Sequence, residues 1–436
     1  MRAVRVFALS LALIPATVAP LSAQDTLQLS GLQREAIERD PRAAQYALLE
    51  RQAELRMRNL SAERLPQLSA TGEATYQSEV TRIPIAVPGG EAPEPPKDRL
   101  EVALLADWLF YDGGGVASRS DVERARLAAA RAQLAAELEP VRAEVNRSFF
   151  SALALQEHAR ETSALIVDLE ARLEEVRAAV AEGAALPGDT AAVLAELLTA
   201  VERRRALESD RAAAFAVLAH LTATEMDEAT VLQVPSLTDA VARTRSLAAS
   251  SATLRAHPQF EAFAARRAHL AEQAAALRAR NRPQASAFGR AAYGSPGYEQ
   301  FTDELHDYWM GGVRVRWAPF DWGRTSRERE LLDLERTVVG TEEAAFAERL
   351  LRESEQPLST IDRLGSTLST DDRIIALREQ VVRQTRAQLD EGAITAAVHV
   401  DALSDLEQAR VARALHRVQL AEAQAAYLTM LGIPLH

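Results

Sequence analysis

Two places in this chain turn a strand-like pattern into a helix-like one with the same short phrase. LFYDGGG at 109–115 and APFDWGR at 318–324 each close a run of alternating residues. Each then opens a long Ala/Arg/Glu-rich stretch with no turn signals. In a strand, successive side chains point to opposite faces, whereas a helix returns to one face every three or four residues. A chain that makes this change twice, at matching phrases, is held to a duplicated plan of strands feeding long helices. Asp112 and Asp321 supply a side-chain oxygen for the first helical N–H groups. Gly114 and Gly323 let the backbone bend without a Cβ penalty.

The rest of the chain repeats in step. Asp40-Pro41 is matched by His257-Pro258, and Pro66 by Pro283 at the same interval. The runs between are Ala-rich and amphipathic, and they end in similar phrases, RLPQLSATGEATY and NRPQASAFGRAAY. After the Asp-x-Gly pair the interval shortens once and then holds to Glu182-Gly183-Ala184 and Glu391-Gly392-Ala393. Regular offsets broken at a single loop are the signature of a duplicated unit with one insertion, and the period is too long for a solenoid. The expected organisation is a first repeat over 24–222, a linker with a short helix over 223–254, and a second repeat over 255–436. Each repeat carries a helix, a β-hairpin (about 66–111 and 283–320) and a long helical hairpin (about 113–222 and 322–431).

The alternating runs have the length and period of strands that cross a bilayer in a β-barrel. In 66–77, Leu68, Ala70, Gly72, Ala74 and Tyr76 oppose Ser69, Thr71, Glu73, Thr75 and Gln77. In 100–110, Leu100, Val102, Leu104, Ala106, Trp108 and Phe110 oppose Glu101, Ala103, Leu105, Asp107 and Leu109. In 309–317, Trp309, Gly311, Val313, Val315 and Trp317 oppose Met310, Gly312, Arg314 and Arg316. The run 285–293 alternates less well, because Phe288 and Arg290 share a face. All 4 Trp lie in or just beyond these runs, near strand ends, where interfacial girdles belong. A soluble sandwich could also collect aromatics, but it would place them in strand middles. The connections 82–97 and 294–306 are rich in Pro, Gly and polar residues, which suits exposed loops.

After each switch the period becomes helical. Leu134, Leu138, Val141, Val145 and Phe149, then Ile166, Leu169, Leu173, Val176 and Val180, form a coiled-coil-like seam. The first long segment would reach roughly 100 Å as helix. Pro140 and Pro357 are expected to kink or offset the two long helices. Gly183 and Gly392 read as C-terminal caps. Four strands cannot close a barrel, and lipid does not tolerate open sheet edges, so the chain is expected to oligomerise. A trimer fits the polar inward set Ser69, Thr71, Glu73, Asp107, Arg314 and Arg316 better than a dimer, because twelve strands leave a lumen.

Composition removes other classes. The formal net charge of −12 argues against nucleic acid, and the absence of cysteine removes disulfides, thiolate metal sites and a cysteine nucleophile. Beyond the first residues no apolar run approaches the ~18–20 residues of a spanning helix. Arg2 and Arg5, the apolar stretch from Val6 to Val18 and the small-residue end Leu21-Ser22-Ala23 read as a secretory signal over 1–23. The 8 His are dispersed, and no G-x-S-x-G, P-loop or dinucleotide fingerprint is present. The glycines at 113–115 lack the Lys-Ser/Thr of a phosphate cradle. No enzyme, cofactor or metal is expected.

At these residues the chain resembles the TolC family of outer-membrane efflux and secretion ducts. The resemblance is carried by ERDPRAAQYALLERQAELRMRNLSAERLPQLSATG, LFYDGGG and the Glu-Gly-Ala turn, with their second-half partners, and it covers essentially the whole mature chain. It implies a mainly α fold with a β-barrel portion: a homotrimer with one 12-stranded barrel and an α-helical tunnel into the periplasm. It implies a passive channel in the cell outer membrane that works with a periplasmic adaptor and an inner-membrane pump, in efflux or type I secretion. The adaptor contact would map to Gly183, Ala184 and Ala185 and to Gly392, Ala393, Ile394 and Thr395. Glu182 and Glu391 depart from the family's apolar residue before the glycine. Asp189, Asp401 and Asp405 become candidates for a carboxylate gate, since threefold symmetry turns one Asp into a ring. Asp189 reads equally well as a helix N-cap after Pro187-Gly188. The competing class is a periplasmic coiled-coil scaffold or adaptor without a barrel. A porin without pump partners shares the barrel but leaves the long helices unexplained.

Overall fold

The computed structural model describes residues 27–80, 94–247, 255, 257–297 and 304–435. The expected signal at 1–23 lies outside these residues, as do most of the 82–97 connection and the middle of the 294–306 connection. The chain separates into two units. One comprises Ala36–Asn146, Leu237–Gly365 and Glu422–His436, the other Met1–Glu35, Arg147–Ser236 and Ser366–Ala421.

The first unit holds a four-stranded antiparallel sheet, ordered β1 (Gln67–Tyr76), β2 (Asp98–Tyr111), β3 (Gln284–Ser295) and β4 (His306–Arg316). Each repeat contributes one hairpin, and β2 pairs with β3 to join them. The sheet continues into a layer of helices in the same order. Helix α2 (Gln45–Ala62) precedes β1, α3 (Gly115–Ala181) follows β2, α6 (Pro258–Leu277) precedes β3, and α7 (Arg324–Asp390) follows β4. Within this unit, Arg56–Glu123 at 3.5 Å ties α2 to α3. Arg266–Glu342 at 2.9 Å and Arg280–Glu328 at 2.7 Å tie the α6 segment to α7. Such exposed pairs contribute at most about 1 kcal/mol each, so they set order more than stability. Burial does more: Phe346 of α7 packs against Phe260 and Phe263 of α6, with ring centroids at 5.3 and 6.0 Å.

The second unit is helical. It takes in most of α1 (Leu29–Arg39), α4 (Pro187–Thr222), most of α8 (Ala396–Met430) and the later parts of α3 and α7. Its core joins Leu165, Ile166, Leu169, Leu173 and Val176 of α3 to Val193, Leu197 and Ala200 of α4 and to Ala396, Val400 and Leu403 of α8. The sequence seam is therefore the buried seam, at 3–4 residue spacing. The short helix α5 spans Thr238–Leu247 in the sheet-bearing unit.

Both long helices run 67 residues without a break through Pro140 and Pro357. A proline inside a helix removes one hydrogen bond and crowds the preceding turn. The loss here is local and does not interrupt either element.

Candidate functional site

The two strand-to-helix switches are built alike. The Asp112 carboxylate accepts from the backbone N–H of Gly114 at 2.9 Å and of Val116 at 2.5 Å. Asp321 accepts from Gly323 at 3.1 Å and Thr325 at 2.9 Å. In each copy the aspartate's own carbonyl takes the N–H three residues on, at 3.2 Å and 3.1 Å. These are the orphan donors of a helix start, and a carboxylate there also faces the positive end of the helix dipole. Burial alone would raise the Asp112 pKa, but the Val116 and Gly114 N–H groups outweigh it and hold the carboxyl below its ordinary range. Asp321 is lowered to about 2, first by Thr325 through side chain and backbone.

The sheet separates two chemistries. In an antiparallel ladder directly paired residues share a face. The register pairs Leu68 with Ala106, Ala70 with Leu104 and Gly72 with Val102, and carries that face on through Tyr293, Ala291 and Gly289 to Asp307, Trp309 and Gly311. Most of this face is apolar and fully open: Leu68, Val102, Leu104, Trp309, Val313 and Val315 are all exposed. The other face carries Ser69, Thr71, Glu73, Glu101, Asp107, Arg290, Arg314 and Arg316. It is buried only in a patch of β2 and β3 that includes Glu101, Ala103 and Ala292, and Ser69, Thr71, Glu73, Asp107, Arg314 and Arg316 are exposed. The six residues expected to point inward therefore share one face. Phe288 and Arg290, whose shared face weakened the alternation of β3, both lie there, and the Arg314 guanidinium sits 4.9 Å over the Phe288 ring.

Sequence reasoning passed over the cluster at the loop end of this face. Glu101 accepts from Tyr308 Oη at 2.9 Å, from Arg99 Nη2 at 3.4 Å and from Arg290 Nη2. The only signal available was an Arg and a Glu two apart on the polar side of one strand, with a second Arg on another.

At the far ends of the long helices the two turns match again. Gly183 and Gly392 adopt φ of +76° and +70°. Ala184 N–H donates to Ala179 O and Ala393 N–H to Gln388 O, both at 2.8 Å. Gly183 and Gly392 N–H donate to Val180 O and Leu389 O at 3.0 and 2.9 Å. Each turn is a complete Schellman cap. The two turns line one cavity of about 740 Å³, together with Arg172, Glu175, Arg386, Asp390 and Asp189. Ala184, Ala185, Gly392, Ala393, Ile394 and Thr395 are on its wall, whereas Gly183 is not. Arg386 and Arg172 hydrogen-bond Glu175 at 2.9 and 2.5 Å and hold its carboxyl below the usual range. Behind them, buried His399 meets Thr385 Oγ1 at 2.9 Å, and burial lowers its pKa to about 4.

The three aspartates marked from sequence sit in different settings. Asp189 caps α4 by accepting from Leu186 N–H at 3.0 Å, and its other oxygen accepts from Ala396 N–H of α8 at 3.0 Å. It thus ties the two turns together. Asp405 of α8 pairs with Arg378 of α7. Asp401 is exposed on α8.

No family model matches the sequence, and no curated protein matches it. Solved structures do. A CusC structure superposes with a TM-score of 0.63 at 15% identity, over 94% of this chain and 93% of that one. The outer-membrane protein VceC of Vibrio cholerae gives 0.60 at 15% identity, over 94% and 97%. The open-state MtrE outer-membrane channel of Neisseria gonorrhoeae gives 0.61 at 18% identity, over 93% and 89%. This chain has the fold of those outer-membrane channels, the TolC-like fold its duplicated phrases resemble.

Proposed function

We propose that the protein is a passive channel of the cell outer membrane, carrying solutes outward from a periplasmic adaptor and an inner-membrane pump. The observation that carries this reading is the sheet: one face is largely apolar and exposed, and the other gathers the charged and hydroxyl side chains, as lipid and lumen require. Its edge strands β1 and β4 have no outer partner strand among the described residues. Lipid does not tolerate such edges, and β4 of one copy is antiparallel to β1 of the next, so three copies of four strands close a twelve-stranded barrel. The helix layer supports the same seam. Its edge helices α2 and α7 leave Leu48, Leu55, Leu331, Leu334 and Val338 exposed at helical spacing.

The helix turns are the adaptor contact in this reading, through Gly183, Ala184, Ala185, Gly392, Ala393, Ile394 and Thr395. Asp189, Asp401 and Asp405 belong to the tunnel gate: Asp189 as the tie between turns, Asp405 through Arg378, and Asp401 as a solvent-facing carboxylate. Residues 1–23 act as the export signal.

Lys97, exposed beside β2, is the only lysine in the chain. A membrane-impermeant amine reagent applied to intact cells, followed by peptide mapping with Lys97→Arg as control, tests the topology. Modified Lys97 on intact cells is the expected result. Modification only after the outer membrane is breached would favour a periplasmic scaffold.

A further inference from the structure

The two hairpins of the sheet share one register. Gln67 pairs with Asp107 as Gln284 pairs with Arg316, and Gly72 with Val102 as Gly289 with Gly311. The tryptophans that end the second strand of each hairpin match as well. Trp108 Nε1 donates to Arg64 O at 2.9 Å, and Trp317 Nε1 donates to Asn281 O at 3.2 Å. Position for position, β1 is equivalent to β3 and β2 to β4. The junction of β2 with β3, where a first repeat meets a second, is therefore a template for β4 against β1 of another copy, where a second repeat meets a first. The charges on the polar face point the same way. Glu73 lies directly across from Glu101, carboxylate against carboxylate, which costs stability in a ladder. Glu101 is already taken by Tyr308, Arg99 and Arg290. Glu73 is exposed, and its side chain has no ion pair or hydrogen bond among the described residues. On the opposite edge, Arg314 and Arg316 stand on that same face of β4, with Arg314 3.9 Å from Asp107. One copy thus leaves a spare acid on one edge and spare basic groups on the other.

Resting on the channel reading above, we propose that β4 of one copy pairs with β1 of the next in the register of β2 with β3, so that Arg314 holds Glu73 across the seam. In the template, Leu105 pairs with Arg290 and Asp107 with Phe288. Carried to the equivalent positions, these become Arg314 against Glu73 and Arg316 against Thr71. Glu73 then has one guanidinium directly opposite, with Cβ atoms about 5 Å apart, and a second on the diagonal within reach of a long side chain. The apolar face agrees. Ala106–Gly289, Leu104–Ala291 and Val102–Tyr293 carry over to Val315–Gly72, Val313–Ala74 and Gly311–Tyr76. Tyr76, 77% exposed in the single copy, comes to lie over a glycine. A slip of one residue would set each charged side chain against the apolar set, so the faces and the charges select the same family of registers.

The chain has no cysteine, so disulfide cross-linking reads the register directly. Full-length protein with Glu73→Cys and Arg314→Cys, or with Gly72→Cys and Val315→Cys, is oxidised in membranes and run on a denaturing, non-reducing gel. Successive pairs in an antiparallel ladder alternate between closer and wider spacing, so one of these two is well placed to close. Covalent trimer is the expected product. Glu73→Cys with Arg316→Cys should stay uncross-linked, because diagonal positions lie about 7–8 Å apart. Cross-linking of that slipped pair in place of the other two, or a trimer in which neither of the first two closes, overturns the register and leaves the channel reading standing. No cross-link from any pair, in protein that sediments as a monomer, removes the channel reading and this proposal with it. The ion pair has its own test in the temperature at which the unlinked assembly dissociates. Glu73→Arg should raise that temperature more in an Arg314→Glu background than in the parent, a comparison in which the effect of Glu101 within the copy cancels. An equal shift in both backgrounds overturns the contact between Arg314 and Glu73.

Discussion

The two switches share a cap and differ in what surrounds it. In the first, Gly113 and Gly114 both have positive φ, +67° and +88°. In the second the pair is Trp322 and Gly323, at +55° and +74°. The first position is therefore left-handed in both copies but is filled by glycine in one and tryptophan in the other. Space explains the difference. A Cβ on Gly113 would sit 2.7 Å from Arg282 Cβ and 3.0 Å from Pro283 O. Trp322 is 81% exposed and meets Phe320 edge to face, with ring centroids 4.9 Å apart. Duplication has kept the aspartate geometry, while the neighbouring position has followed its local environment.

That comparison can be broken most forcefully at Gly113. Gly113→Ala meets backbone strain and a collision at once and should cost about 2–3 kcal/mol. Gly323→Ala meets only the far end of the Arg327 side chain at 3.3 Å and should cost about 1 kcal/mol. Thermal melting of the solubilised protein reads both, and equal losses would refute the spatial explanation. Asp112→Ala removes two N–H acceptors from the start of α3 and should cost about 1–2 kcal/mol by the same assay.

At the opposite helix ends the copies should behave identically. Neither Gly183 nor Gly392 has an atom within 4 Å of a new Cβ. Alanine at either should cost about 1 kcal/mol, from the positive φ alone. Unequal costs would show that the turns are not equivalent. Trp322→Gly tests the reverse direction, since it relieves a left-handed tryptophan and should raise the melting point by a degree or two, about 0.5 kcal/mol.

The subtlest test is pH. Both switch carboxyls titrate below their unfolded value, so their stabilisation is complete above about pH 4. It is lost as pH falls, down to about 2 for Asp321. The stability difference between the parent and Asp112→Asn or Asp321→Asn should therefore shrink below pH 4. A difference that stays constant to pH 2 would mean the charge contributes nothing beyond the amide's hydrogen bonds.

Local periodicity made most of this architecture legible. The alternation of β1, β2 and β4, the seam of α3 and the glycine caps are all written within a few turns of chain, and each is decided by neighbours in sequence. What escaped is decided by neighbours in space. Arg290 looked like a fault in β3 because its partner Glu101 lies 189 residues away. The second oxygen of Asp189 reaches Ala396 N–H, 207 residues on, so an N-cap reading captured only half of its work. The buried bonds of Asn146 with Thr429 and of Thr162 with Glu407 are of the same kind. Polar residues on a helix seam read as interruptions until the partner helix is placed.

On the proposed channel reading, strands β1 and β4, which have no outer partner among the described residues, carry a consequence for how much of this protein a cell must make. A sheet with two raw edges has no stable home in hydrocarbon as a single copy. Its membrane form is then a property of the population, governed by mass action: halving the supply of chains lowers the closed species by far more than half. Scarcity, more than misfolding, would be the first way such a wall fails to form.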